Sequence, residues 1–294
     1  MAGVIRRVVL GAGVLAAAGA AVYVWRGRGA PATEADIAYG TDPRQRLDIY
    51  LPEGEGPVPC VVEIHGGAFK IGDKAMMPVS QALLDAGIAV VRINYRYSSA
   101  AVWPAQGDDC LAAVVWLQRK GRSHGIDPSR LALWGQSAGA FLAVSTALTL
   151  VEAGLPPRGV VSFYGPMDFS TMDADMATLG RVPAMGATDP ADSAESLLLG
   201  YVVGDNRAAA RAAGPVGRLE VLREPLPPIF IRHGDADPLI ADLQASRLRS
   251  AWLAADPAAE VDFALVPGAG HGGGGFDTDV VMAPMVAFLV RVLG

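Results

Sequence analysis

Cysteine is scarce: the 294 residues hold two, Cys60 and Cys110. Two thiols cannot build a disulfide framework or a four-cysteine zinc site. Histidine is nearly as scarce, and His65, His124, His233 and His271 are the whole supply. Charged residues make up 18% of the chain and hydrophobic ones 51%, a balance that excludes a disordered polymer. Acid is missing from residues 1–30, which carry Arg6, Arg7, Arg26 and Arg28. Without those four, 20 basic residues face 30 acidic ones, so residues 31–294 stand at −10. So acidic a body lacks the clustered positive charge of a nucleic-acid binder, and no nucleic-acid partner is expected. No phosphate-cradling glycine loop and no H-E-x-x-H spacing occurs, so neither a cofactor nor a metal is expected.

What is present begins at the N-terminus. Val8 to Trp25 is 18 residues without a charge, nine of them Gly or Ala. As a helix rising about 1.5 Å per residue, it nearly matches a bilayer core of about 30 Å. Arg6-Arg7-Val8-Val9-Leu10 is similar to a twin-arginine export signal, and Ala30-Pro31-Ala32 offers a small-x-small cleavage site. Residues 1–30 are therefore expected to be an export signal or a membrane anchor. Either role puts the body outside the cytoplasm if an anchor runs with its N-terminus inward, and an uncleaved segment makes the membrane a partner.

The body reads as alternating strands and helices. Ile37–Tyr39 and Leu47–Leu51 suit an antiparallel hairpin turning at Thr41-Asp42-Pro43. Strands are expected over Pro57–Ile64, Ile88–Tyr95, Leu131–Gly135, Gly159–Tyr164, Pro228–Arg232 and Val261–Pro267. Helices are expected over Pro78–Asp85, Gly107–Lys120, Ser137–Leu150 and Asp279–Leu293. Strands alternating with helices mean an α/β fold with a mostly parallel sheet and helices on both faces. Residues 168–225 show no clean strand and read as an insertion over the sheet's C-terminal edge, where ligands bind in open α/β folds. Met172, Met176 and Met185 within it suit an adaptable apolar lid or an ordinary core patch. Trp103, Trp116, Trp134 and Trp252 suit core packing better than a pocket lining, and both cysteines read as buried, inert thiols.

Gly135-Gln136-Ser137-Ala138-Gly139 fits G-x-S-x-G between a short strand and an apolar helix. Such a serine sits on a strained turn, and bulk at either glycine would meet neighbouring backbone. A serine hydroxyl attacks only when a base takes its proton. With this turn the chain order is Ser, acid, His. Of the histidines after Ser137, His271 follows the last strand within Gly268-Ala269-Gly270-His271-Gly272. The acid belongs after the preceding strand, in His233-Gly234-Asp235-Ala236-Asp237-Pro238, where Asp237 and Asp235 both qualify by spacing. If Asp237 is the acid, His233 is structural. An oxyanion hole would use the N–H groups of Ala138, Gly67 and Ala68, the last two from the His65-Gly66-Gly67-Ala68 loop. His65 braces that loop rather than acting as a base.

With these pieces assembled, the sequence resembles the α/β-hydrolase superfamily. The likeness is to esterases with an H-G-G-x oxyanion loop, namely acetyl-xylan/feruloyl-esterase-like and hormone-sensitive-lipase-like carboxylesterases. It spans about residues 36–293 and rests on VVEIHGGAF, GIDPSRLALWGQSAGAFLA, IFIRHGDADPLI and GAGHGG. The resemblance implies that the acid is Asp237, that Asp109 is structural, and that the substrate is a small-molecule carboxylic ester, with short acyl chains favoured. An amidase or formamidase with the same residues, or a non-catalytic binding protein on this fold, are the alternatives.

Overall fold

A computed structural model describes residues 13–17, 20–24 and 31–294. Eight strands form the central sheet: β1 (Glu34–Ala38), β2 (Arg46–Tyr50), β3 (Val58–Ile64), β4 (Ala89–Ile93), β5 (Ile126–Gln136), β6 (Gly159–Phe163), β7 (Ile229–Gly234) and β8 (Val261–Val266). Their order across the sheet is β8-β7-β6-β5-β3-β4-β2-β1. From β3 onward every ladder is parallel, and only β1 and β2 run against their neighbours.

The central strands are apolar at successive positions because both faces are covered. In β3, Val61 and Val62 are both fully buried yet belong to different cores. Val62 joins the side covered by α2 (Ala105–Lys120) and α3 (Ala138–Glu152). Val61 joins the side covered by α1 (Gln81–Asp85) and α9 (Asp279–Leu293). Each such side chain contributes roughly 1.5–3 kcal/mol by leaving water. The two free thiols are part of this packing, Cys60 within β3 and Cys110 within α2. Trp134 and Trp252 are buried as expected, while Trp103 and Trp116 pack partly buried against the first core.

Residues 168–225 hold no strand, a 3-10 turn at Phe169–Thr171 and four short α-helices: α4 (Met172–Thr178), α5 (Ala194–Leu199), α6 (Arg207–Ala213) and α7 (Pro215–Leu219). Gln244 clamps the start of this segment, its Oε1 accepting the N–H groups of Met167 at 2.8 Å and Asp168 at 2.7 Å. Gln244 belongs to α8 (Leu243–Ala255), a helix that the sequence reading left out. Its inward side carries Gln244, Ala245, Leu248 and Trp252, too polar and too small to form a visible apolar stripe. Met172 and Met176 are core residues, whereas Met185 is half exposed, so the three do not form one apolar lid.

The N-terminal run differs from expectation. The described parts of it are two strands, Gly13–Ala17 and Ala20–Val24, paired antiparallel, where a helix was expected. Among the described residues no helix is long and apolar enough to cross a membrane. The rest of the export or anchor segment lies outside the described residues.

Candidate active site

Ser137 sits between β5 and α3 with φ 54° and ψ −125°, a conformation that L residues rarely adopt. Two close approaches force it there. A β-carbon on Gly135 would lie 2.0 Å from the Gly139 carbonyl oxygen. One on Gly139 would lie 2.0 Å from the Ile64 carbonyl oxygen. Both glycines of the motif are thus required by backbone packing. The Ser137 N–H donates to the Phe163 carbonyl at 2.9 Å, which ties the turn to β6.

The loop after β8 brings His271 to this serine. Its Nε2 lies 2.8 Å from Ser137 Oγ, and its Nδ1 lies 2.7 Å from Asp237 Oδ2. A proton on Nδ1 donates to the carboxylate and leaves Nε2 free to accept the serine hydroxyl. Asp237 is fully buried, and its Oδ1 accepts the N–H groups of Leu239 at 2.8 Å and Ile240 at 3.0 Å. Burial alone would push its pKa up. Hydrogen bonds from His233 and His271 outweigh that and hold the carboxyl well below the usual carboxylate range.

Asp235, the rival by spacing, is turned away. Its Oδ1 accepts the Gly268 N–H at 2.6 Å and so fixes the start of the loop carrying His271. His233 is buried, with Nε2 3.0 Å from the Ile240 carbonyl and 3.2 Å from Asp237 Oδ2. Asp109 accepts from Arg96 and Gln45 and is structural, as the resemblance implies.

The loop after β3 lies across the turn. Gly67, Ala68 and Phe69 have φ of 117°, 51° and 61°, three successive residues with positive φ. Among the described residues, no protein acceptor takes the N–H of Gly67, Ala68 or Ala138. A β-carbon on Gly66 would sit 2.9 Å from the Gln136 carbonyl, so the two loops touch through glycine. His65 braces this loop as expected, its ring stacked on Tyr95 at 4.5 Å and its Nδ1 2.7 Å from the Gly66 carbonyl. Burial lowers its pKa to about 4, so the ring is neutral near pH 7. Farther along, the Gly72 carbonyl accepts from both Arg44 and Tyr97. Buried Lys74 pairs with Asp48 at 2.9 Å and Asp36 at 2.8 Å.

The sequence reading missed several residues beside the site. Phe69, Phe141 and the insertion's Phe169 form a buried aromatic cluster, with centroids 4.7 Å to 6.2 Å apart. Arg181, also from the insertion, donates to the carbonyls of Asp235 and Asp237 and pairs with Asp242 at 3.2 Å. Tyr164 follows β6, next to β5, which leads into Ser137, and packs on His271. Its position just past a strand end was the available signal.

Three comparisons relate the chain to known proteins. The chain is 30% identical over 256 residues to Esterase LipQ of Mycobacterium tuberculosis, covering 82% of this chain and 57% of LipQ. It is 30% identical over 229 residues to that organism's probable carboxylic ester hydrolase LipM, covering 73% of this chain and 50% of LipM. The chain thus spans about half the length of these curated relatives. Among solved structures, a truncated carbohydrate esterase from gut microbiota superposes with TM-score 0.77 at 27% identity, covering 90% of this chain and 99% of that one. Residues 47–253 match the BD-FAE family. With that match over most of the sheet and over Ser137 and Asp237, the chain belongs to the BD-FAE family of α/β-hydrolase-fold esterases.

Proposed function

We propose that the protein is a serine hydrolase of carboxylic esters, favouring short acyl chains, in which Ser137 is the nucleophile. The observation that carries this is the continuous relay Asp237–His271–Ser137 at 2.7 and 2.8 Å beside a loop with unused backbone donors. Ser137 Oγ bonds to the acyl carbon while its proton passes to His271 Nε2. The N–H groups of Gly67, Ala68 and Ala138 hold the oxyanion. Collapse of the tetrahedral adduct expels the alcohol, which leaves with the proton from His271. Water then attacks the acyl-enzyme, again giving its proton to His271, and the carboxylic acid departs as Ser137 recovers its hydrogen. Asp237 keeps the imidazole in the Nδ1–H tautomer and stabilises its cation.

The acyl preference is supported by the buried Phe69–Phe141–Phe169 cluster, which sets large side chains one residue past Ala68 and four past Ser137. No cofactor or metal has a role in this scheme. The basic-flanked uncharged run before residue 31 supports a location outside the cytoplasm, anchored or released. Fractionating cells that express the chain with and without residues 1–30 tests that location.

Hydrolysis of aryl esters from C2 to C12 by the full chain, beside Ser137→Ala, tests the chemistry. Loss of the hydroxyl should lower kcat on the order of 10⁶-fold. C2 and C4 esters should turn over fastest. Equal turnover by the alanine variant would end the proposal. Faster cleavage of a matched anilide or formamide would redirect it to amide chemistry.

A further inference from the structure

Six of the nine residues from Gly268 to Phe276 are glycine: Gly268, Gly270, Gly272, Gly273, Gly274 and Gly275. Gly268, Gly272 and Gly273 have positive φ, between 69° and 77°. A segment so rich in glycine loses much backbone freedom on ordering, and it has few side chains with which to hold itself. Yet His271 must keep Nε2 within hydrogen-bond reach of Ser137.

One residue outside the Ser-His-Asp set touches both sides of this problem. The Tyr164 ring packs against the His271 imidazole, edge on, with centroids 4.8 Å apart. It packs in the same way on Phe276, where the glycine run ends, at 4.6 Å. Its hydroxyl donates to Gln136 Oε1 at 2.6 Å, and Gln136 immediately precedes Ser137. A β-carbon on Gly272 would lie 2.9 Å from that hydroxyl, so the loop turns directly against it. Tyr164 is buried and holds φ 40°, a strained backbone for an aromatic residue.

We propose that Tyr164, anchored through its hydroxyl to Gln136, is a positioning residue that holds the His271 loop at the distance Ser137 requires. It makes the variable position of G-x-S-x-G a structural link between nucleophile and base. The inference rests on the serine-hydrolase reading, and its test separates the two.

The experiment uses the full chain with Tyr164→Phe, Tyr164→Leu, Gln136→Leu and the double variant Tyr164→Phe/Gln136→Leu. Four quantities are read: kcat and KM for an acetyl aryl ester, thermal unfolding, and the downfield proton resonance of the His271 imidazole N–H bonded to Asp237. Tyr164→Leu should lower kcat about 10²-fold, the order expected for a misplacement near 1 Å, with KM changed less than about twofold. Its imidazole resonance should broaden or vanish. Tyr164→Phe and Gln136→Leu should each cost about tenfold in kcat, and the double variant no more than either, since both break one hydrogen bond. Retention of the resonance and of kcat in Tyr164→Leu overturns the proposal. So does a loss of kcat matched by a collapse of thermal stability in all four variants. If the native chain cleaves no ester and a fluorophosphonate leaves Ser137 unlabelled, the hydrolase reading fails, while the resonance still decides whether Tyr164 positions His271.

Discussion

The loop after β3 and the loop after β8 both bring glycine-rich backbone to Ser137, but they are held by different means. From His65 to Lys74 the first is fixed at nearly every turn: His65 stacks on Tyr95, Gly72 accepts from Arg44 and Tyr97, and Lys74 pairs with two aspartates. Its Gly67 has no spare room, since a β-carbon there would meet the Ile71 carbonyl at 2.1 Å. Between Gly268 and Phe276 the second loop is held chiefly near its ends and at His271: Asp235 and Ala236 bond to Gly268 and Ala269, Tyr164 packs on His271 and Phe276, and His271 bonds Asp237. Around Gly273 and Gly274 a β-carbon would meet nothing within 4 Å. Backbone donors act only if their direction is preset, so a loop that supplies N–H groups needs restraint along its whole length. A loop that supplies one side chain needs restraint at that side chain.

This contrast can be broken most severely at Gly67. Gly67→Ala should lower kcat by about 10²–10³, the cost of losing one oxyanion donor, because φ 117° and the Ile71 carbonyl both oppose a methyl group. Steady-state kinetics on a short aryl ester would read it, and native kcat in this variant would separate Gly67 from the reaction. Acid should sharpen the contrast next. The folded His65 has its pKa lowered to about 4, while the unfolded ring protonates near 6.5. Between those values the unfolded state binds more protons, so stability contributed by His65 falls as pH drops through the window. Glu195, raised to about 7 by burial, works in the opposite direction, so the comparison must be made within one pair of proteins. Denaturant midpoints at pH 7 and 4.5 should fall less in His65→Phe than in the native chain, and parallel losses would refute the assignment. The carboxylate of Asp237 is held low, so its contribution survives that window and is lost only below about pH 4. The smallest effect belongs to Gly274→Ala. With open space and no positive φ, it should change unfolding free energy by less than about 1 kcal/mol, with a stabilising sign. A loss above 2 kcal/mol would show that the second loop is tighter than its contacts indicate.

The candidate site was readable because its spacing follows from backbone geometry. Gly135 and Gly139 are dictated by carbonyls 2.0 Å from any β-carbon, and such constraints leave a mark in sequence. Asp237 and Asp235, two positions apart, could not be ranked by spacing. Their difference is made by the fold, which buries one and points the other at Gly268. Helix α8 escaped notice because its buried positions include Gln244, whose role is to clamp a distant segment rather than to fill a core. Tyr164 gave only its place past a strand end: nothing in one sequence says that the residue after β6 reaches across to a loop more than a hundred positions later. The Val8–Trp25 run misled on secondary structure because an uncharged stretch rich in Gly and Ala carries no strong helix or strand period.

The two buried thiols have a practical corollary. Burial pushes the Cys60 thiol up to about 12 and raises that of Cys110 further, so neither forms a thiolate at working pH. The native surface is therefore blank to maleimides and other thiol labels. A single cysteine introduced at Val182, an exposed tip of the segment beside Asp237, would be the molecule's one addressable handle. A fluorophore there could report substrate arrival in real time without altering any other side chain.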